Sequence, residues 1–299
     1  MVMSLVGGNP SPAATVRITD DFGQEITLNQ PAKRIIALYG AYNEILAAIG
    51  VEDRLVGRTK TDVLPASIRK KPSIGTHMRP NVEMVMGLKP DLIIQSSGRK
   101  ESMMVVRQLQ REGLKVAVFH PTDFESLFSV IRRLGVLTGK SLQAEELVDS
   151  LQLRLRNVAH CLHGIRHRPR VFFEVRYPNL LGAGRGSIVN DIIQKAGGLN
   201  CMDSDKKLVR IGMETLIEQH PEVYIIQRGP MNKNPTHPSE RPHFRILEPV
   251  KTGRIMFVDE QVYSRPGPRS VEAVEALAVF LHPDAFVDNC GNGPISGKK

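Results

Sequence analysis

In this 299-residue chain the side chains best suited to chemistry fall in short loops that follow apolar runs. Tyr39 and Tyr42 follow the run Ile35 to Leu38, and Gly75, Thr76, His77, Met78 and Arg79 form a second loop. Ser96, Ser97, Gly98 and Arg99 close the run that starts at Leu92, and His120, Pro121 and Thr122 close Val116 to Phe119. Phenolate oxygen suits ferric iron and imidazole suits several metals, so Tyr39, His77 and His120 are candidate metal ligands, with Tyr42 and Tyr177 as further donors. Taken singly, such a residue is more often a hydrogen-bonding or packing group at a strand end. A bare divalent ion needs three or four converging His and carboxylate ligands, and only His77 and His120 stand at suitable places. A metal already wrapped in an organic chelate matches the sequence better.

The loops must be positioned by the runs before them. Strand, loop and helix recur: Leu92 to Gln95 and Val116 to Phe119 read as buried strands, with helices near 43–50, 101–112 and 123–138. Such alternation argues for α/β layers on a parallel sheet whose ligands meet the strand C-termini. The pattern restarts with strands at Arg170 to Val175, Val223 to Gln227 and Ile255 to Val258. Between the halves lies Ser141 to Ile165, free of Pro and, except for Gly164, of Gly, with Ala144, Leu147, Leu151, Leu155, Val158, Leu162 and Ile165 at steps of three and four. That spacing predicts one amphipathic helix of roughly 35 Å, capped by Ser141 and carrying Glu145 and Glu146 in its first turns. The expected organisation is a disordered or remnant export segment at 1–15, an α/β lobe at 16–140, a connecting helix at 141–166, a second α/β lobe at 167–290 and a tail at 291–299.

The two halves also repeat. Residues 83–94 align without gaps on 214–225, pairing Glu83 with Glu214, Pro90 with Pro221 and Asp91 with Glu222, a spacing of 131 residues (83 to 214). Arg79 and Arg210 fall four residues before each glutamate, and the cap-forming Asn81 and Gly212 two before. The plain account of Glu83 and Glu214 is that acids suit the first turn of a helix, worth about 0.3–1 kcal/mol each. The sharper account makes them two equivalent docking points for a two-fold partner with basic pockets.

Several classes are disfavoured. A net charge of +9 invites nucleic acid, but the basic residues are scattered, aromatics are 5% of the chain and no recognition motif appears. No window approaches the 18 uninterrupted apolar residues of a membrane span. Cys161, Cys201 and Cys290 are far apart and signal neither a zinc site nor a disulfide framework. The Gly-rich run Gly182 to Ser187 would suit a phosphate in a nucleotide-dependent α/β enzyme, yet GxxxxGK[ST] is missing and His167 and Asp191 have no motif around them. Close backbone approach to a bulky ligand explains those glycines as well.

Val16 to Gly57, Pro80 to Asp91, Ala196 to Asn200 and Arg265 to Phe286 together resemble the substrate-binding proteins of ABC importers for iron complexes, haem and cobalamin. The resemblance covers nearly the whole chain, about Val16 to Phe286. It implies two doubly wound α/β lobes joined by a single long helix, a ligand cleft between them, and a binding protein rather than an enzyme. It further implies a periplasmic, exported monomer that meets the membrane only through an ABC permease with its ATPase. By the same resemblance Glu83 and Glu214 dock to the permease, and the cleft loops include Arg176, Tyr177, Gly184 to Gly186, Arg228 and Tyr263 to Arg265. Arginine then dominates the expected cleft: Arg79, Arg99, Arg176, Arg185, Arg210, Arg228, Arg265 and Arg269. Guanidinium forks pair with carboxylates and other oxyanions, so the expected ligand is an anionic metal chelate such as a ferric siderophore or haem. Cobalamin or a molybdate-type oxyanion is the alternative. No intrinsic cofactor is expected.

Overall fold

The computed structural model describes residues 15–98 and 100–290; the segment before them, the tail at 291–299 and Arg99 lie outside the described residues. The first lobe opens with a hairpin of β1 (Val16–Thr19) and β2 (Glu25–Leu28). Then follow β3 (Ile35–Ala37), α1 (Gly40–Ala48), β4 (Leu55–Gly57) and a two-stranded turn of β5 (Gly75–Thr76) and β6 (Arg79–Pro80). The lobe is completed by α2 (Val82–Gly87), β7 (Leu92–Ser96), α3 (Lys100–Arg111), β8 (Val116–Phe119) and α4 (Phe124–Thr138). Its sheet has the order β4-β3-β7-β8 and is parallel throughout, so all four strands end at one edge.

A single helix, α5 (Ser141–Cys161), leads to the second lobe. That lobe runs β9 (Arg170–Arg176), β10 (Leu181–Ala183), α6 (Ile188–Lys195), β11 (Leu199–Asn200), β12 (Leu208–Arg210), α7 (Met213–Glu218) and β13 (Val223–Arg228). It ends with α8 (Glu248–Lys251), β14 (Ile255–Asp259), α9 (Glu260–Tyr263), α10 (Ser270–Leu281) and α11 (Pro283–Cys290). The sheet order is β12-β10-β9-β13-β14, with β11 also on β9; β9, β13 and β14 are parallel and β10 is antiparallel.

Three local expectations need correction. First, α1 starts at Gly40 rather than near Asn43, because Tyr39 already turns the chain as its cap residue. Second, α5 spans 21 residues, about 32 Å, and stops at Cys161 rather than Ile165. Gly139 ends α4 at φ +66°, and only Gly139 and Lys140 separate the two helices, so Ser141 is already helical, is not the cap, and leaves the first turn without an acid. Close crossing explains this tight corner: a Cβ on Gly135 would lie 2.5 Å from that of Ala144. Third, Cys161 and Cys290 form a disulfide, tying the end of α5 to α11. Their separation of 129 residues hid the pair from any local spacing rule.

The connecting helix is more than a strut. Ala144, Val148, Leu151 and Val158 are buried in an apolar core that continues from the first lobe through α5 into the second. Near its start Glu145 receives Arg132 of α4 through two bonds of 2.7 and 2.8 Å, and further along Arg154 makes a two-pronged pair with Glu275 of α10.

The sequence repeat is also a repeat of construction. Lys89 and His220 adopt φ of +47° and +45°, the left-handed turn that admits the following Pro90 and Pro221. Asp91 accepts the backbone N–H groups of Lys33 and Arg34, and Glu222 accepts that of Arg170. Arg34 donates to the Leu88 carbonyl at 2.6 Å, and Arg170 to the equivalent Gln219 carbonyl at 2.7 Å. Each guanidinium thus satisfies the open C-terminal end of a short helix and fastens it to the neighbouring strand. Glu83 and Glu214 are exposed near the starts of those two helices.

Candidate functional site

The strand ends of the two lobes enclose a cavity of about 680 Å³. From the first lobe it is lined by Leu38, Tyr39 and Gly40 after β3, Thr59 and Thr61 after β4, Thr76, His77 and Met78, Ser96 and Ser97 at the end of β7, and His120 after β8. The second lobe contributes Val175, Ala183, Lys207, Leu208, Met231, Glu260 and Arg265 among others. The size is that of a site for a drug-sized or cofactor-sized molecule.

Its polar groups gather at two poles. Lys207 directly precedes β12 and α9 directly follows β14, strands on opposite edges of the second sheet; four strand spacings, roughly 19 Å, separate those edges. In the first lobe His120 follows edge strand β8 and Thr59 follows the other edge, β4. One pole therefore brings His120, Ser97 and Lys207 together. The other holds Arg265 over the Tyr39 ring at 5.8 Å, with Glu260 and Thr59 nearby. Leu38, Val175 and Ala183, on or just after the interior strands β3, β9 and β10, lie between as an apolar waist.

Among the described residues the arginines do not converge as a cleft cluster. Arg265 lines the cavity. Arg79 is exposed on β6, and Arg228 lies across the Phe257 ring at 4.1 Å. Arg185 is bound to Asp203 at 2.5 Å and Asp205 at 3.2 Å. Arg269 grips Glu44 of α1 through bonds of 2.6 and 2.9 Å and so clamps one lobe to the other. Arg176 ends β9 one residue beyond the cavity-lining Val175, on the opposite face of the strand. Tyr177 and Arg210 line a separate depression of about 400 Å³ beside α7, where Tyr177 meets Phe244 edge-on.

Among the aromatic candidates, Tyr39 and His77 line the cavity and touch edge-on with centroids 6.2 Å apart. Burial pushes the Tyr39 phenol up to about 12, Arg265 opposing and Glu260 reinforcing. Tyr42 is 1% exposed, and its hydroxyl donates to the Phe119 carbonyl in the core beneath the cleft. His120 lines the cavity; partial burial, reinforced by the Lys207 ammonium, holds its imidazole below the ordinary range against the pull of Asp21. Burial also raises the Asp62 and Glu260 carboxyls, with Arg265 countering in both.

The glycines of 182–186 answer to the chain itself. A Cβ on Gly184 would fall 2.1 Å from the Lys206 carbonyl oxygen, and one on Gly186 would fall 2.3 Å from that of Asp205. They make room for the 203–207 segment, which in turn presents Lys207 to the cavity. Neither a phosphate nor a bulky ligand is needed to explain them.

Beneath the second-lobe wall lies a buried polar chain. Glu174, 0% exposed, is paired with Arg241 and accepts from Tyr224 Oη at 2.6 Å and Asn232 Nδ2 at 3.1 Å. Gln227 continues the chain, donating to the Val175 carbonyl and accepting from Ser264. Glu260 accepts the Met231 N–H at 2.8 Å. This chain anchors the long loop after β13 and sets Met231, Glu260 and Ser264 at the cavity. Because removing one partner of a buried pair strands the other charge, Arg241→Met is expected to cost about 3 kcal/mol or more in urea unfolding. Pairing it with Glu174→Leu should recover much of that loss.

Lys207, Glu260, Met231 and the Thr59–Thr61 turn escaped the sequence reading. Glu260 was reachable, since it follows β14 just as Tyr39 follows β3. Nothing local marks Lys207.

The family model described as Periplasmic binding protein matches residues 35–285. An uncharacterized ABC transporter substrate-binding lipoprotein of Bacillus subtilis is 28% identical over 276 residues, covering 91% of this chain and 87% of that protein. A vitamin B12-binding protein of Photorhabdus laumondii is 23% identical, covering 83% and 88%. Among solved structures, a possible iron-binding periplasmic solute-binding protein of Staphylococcus epidermidis superposes with a TM-score of 0.72 at 26% identity, covering 85% of this chain and all of that one. A periplasmic heme-binding protein of Pseudomonas aeruginosa gives 0.76 at 24% identity, covering 89% and 95%, and shows the fold alone.

Proposed function

Because the chain belongs to the periplasmic binding protein family, we propose that the cavity between its lobes captures a metal chelate and that Glu83 and Glu214 present the loaded protein to a membrane permease. It is the substrate-binding component of an ABC import system of the iron-chelate, haem or cobalamin class, and a transport protein rather than an enzyme. Such proteins work with a permease and its ATPase. Capture takes place outside the cytoplasm, as for the periplasmic and lipoprotein relatives, and a disulfide between α5 and α11 suits an oxidising compartment.

The cavity itself carries the choice of ligand. At about 680 Å³ it would be left mostly empty by a molybdate-type oxyanion. Among the described residues no three His, Cys, Asp or Glu side chains converge, so a bare ion would lack ligands. An apolar waist between two polar poles fits a bulky organic body with polar groups at its ends. One cation stands at each pole, Lys207 and Arg265, and Glu260 balances the second. That arrangement replaces the arginine cluster expected from the loops.

Calorimetric titration with hemin, ferrioxamine B and cyanocobalamin, alongside ferric and zinc salts and ATP, tests the reading. At least one chelate should bind at micromolar or tighter affinity without turnover. Stoichiometric binding of a bare ion in preference to every chelate, or hydrolysis of ATP, would overturn it.

A further inference from the structure

We propose that the depression beside α7 is a further docking element, built from segments that the first lobe lacks, and that it receives an extended segment of the permease carrying an apolar side chain and a carboxylate. Its seat on one lobe fixes which lobe meets which half of the permease. The inference rests on the docking reading of Glu83 and Glu214 above and adds to it a contact of opposite charge.

The depression holds about 400 Å³ and shares α7 with Glu214: Gly212 and Met213, which line it, directly precede that glutamate. Its wall is aromatic. Tyr177 and Phe244 meet edge-on with centroids 5.5 Å apart, and both rings rest on the buried Arg241 guanidinium, at 4.2 and 5.2 Å. Arg241 is in turn paired with Glu174, so the wall is fixed before any partner arrives. Arg210 also lines the depression; it is exposed, and among the described residues no acid pairs with it. A preformed pocket walled by tyrosine with an arginine beside it has the make-up of an interface anchor, and the open cation calls for an acid on the partner.

The repeat carries Arg210 onto Arg79 and Gly212 onto Asn81, but the other walls have no counterpart in the first lobe. Tyr177 lies in the turn between β9 and the antiparallel β10, whereas β3 passes into α1 through Leu38 and Tyr39 and the first sheet is parallel throughout. Pro242 and Phe244 belong to residues 229–247, between β13 and α8; β7, the equivalent of β13, is followed by residues 97–99 alone before α3. Asn81 also fills its own position, its side chain accepting the Met84 N–H at 3.0 Å to cap α2, where Gly212 leaves the space open. Two tips alike in their glutamates thus differ in what stands beside them. A permease segment seated on the second lobe finds no such seat on the first, and the reversed orientation leaves its apolar side chain in water.

The test measures the affinity of the full chain for the permease with its ATPase in nanodiscs, alongside the melting temperature of each variant. Gly212 accepts a filler without strain: its φ of −95° suits any residue, and a Cβ there meets nothing within 4 Å. Gly212→Phe should weaken docking by at least about tenfold with melting unchanged, and Gly212→Ala should stay within about twofold. Arg210→Glu should weaken docking comparably, while Arg79→Glu at the equivalent place stays within about twofold. None of these residues lines the cavity between the lobes, so ligand affinity should not move. The sign of the arginine result discriminates, because a general field around Glu83 and Glu214 would make either arginine-to-glutamate change tighten docking to basic pockets. Tighter docking by Arg210→Glu, equal losses at Arg79 and Arg210, or wild-type docking by Gly212→Phe would overturn the proposal. Dimerisation of the wild type in sedimentation that Gly212→Phe abolishes would overturn it in favour of a second copy of this chain. Docking that survives alanine at both Glu83 and Glu214 would sink the docking reading itself; loss there, with Gly212→Phe and Arg210→Glu behaving as wild type, would sink this inference alone.

Discussion

Replacement of Glu83 and Glu214 together by alanine is expected to abolish stimulation of the reconstituted permease's ATPase while ligand affinity stays within about twofold. Both carboxylates are exposed, and neither lines the cavity. They stand on short helices built alike: a left-handed turn before proline, an acid gripping the backbone at the start of β3 or β9, and an arginine sealing the helix end. Such reinforcement exceeds what a surface turn needs, and the plain dipole account of each glutamate does not require it in both lobes at equal spacing. A partner with paired basic pockets would read the two carboxylates as one pattern. Charge reversal to arginine at either site should be more damaging than alanine, since it places like charges in contact. Stimulation that survives the double alanine change would reject the docking role.

A second large effect is expected from the disulfide. Cys161→Ser with Cys290→Ser should lower unfolding free energy by about 4–5 kcal/mol in the chain-entropy account, given the loop of 129 residues that the bond closes. Urea unfolding of the oxidised wild type against the double serine variant measures it directly. Reduction of the wild type should reproduce the loss. A difference below about 1 kcal/mol would mean that α11 is held by its packing on α5 and α10 alone. Cys201 should contribute nothing to the redox response: it is buried, and burial pushes its thiol up to about 12.

What the sequence disclosed and what it withheld divide along physical lines. Apolar runs such as Ile35 to Ala37 and Val116 to Phe119 are local signals, and the strands stand where those runs are. The repeat was equally visible, because the same helix, turn and strand demand the same residues in both lobes. Tyr39, His77 and His120 were found because side chains at parallel strand ends share one rim. The arginines misled because a guanidinium near a strand end has many partners to choose from: Arg185 found two aspartates, Arg269 a glutamate of the other lobe, Arg228 a phenylalanine ring. Lys207 and the disulfide were invisible for a related reason. Each depends on segments distant in sequence arriving side by side.

The clamps along α5 bear on how cargo leaves. One lobe grips the helix through Arg132, the other through Arg154's pair with Glu275 and a covalent bond, while Arg269 and Glu44 staple the lobes a second time. A container splinted at so many points has no spring of its own with which to eject its contents. On the docking proposed above, unloading is expected to be forced from outside, by a partner that prises the two tips apart against those staples.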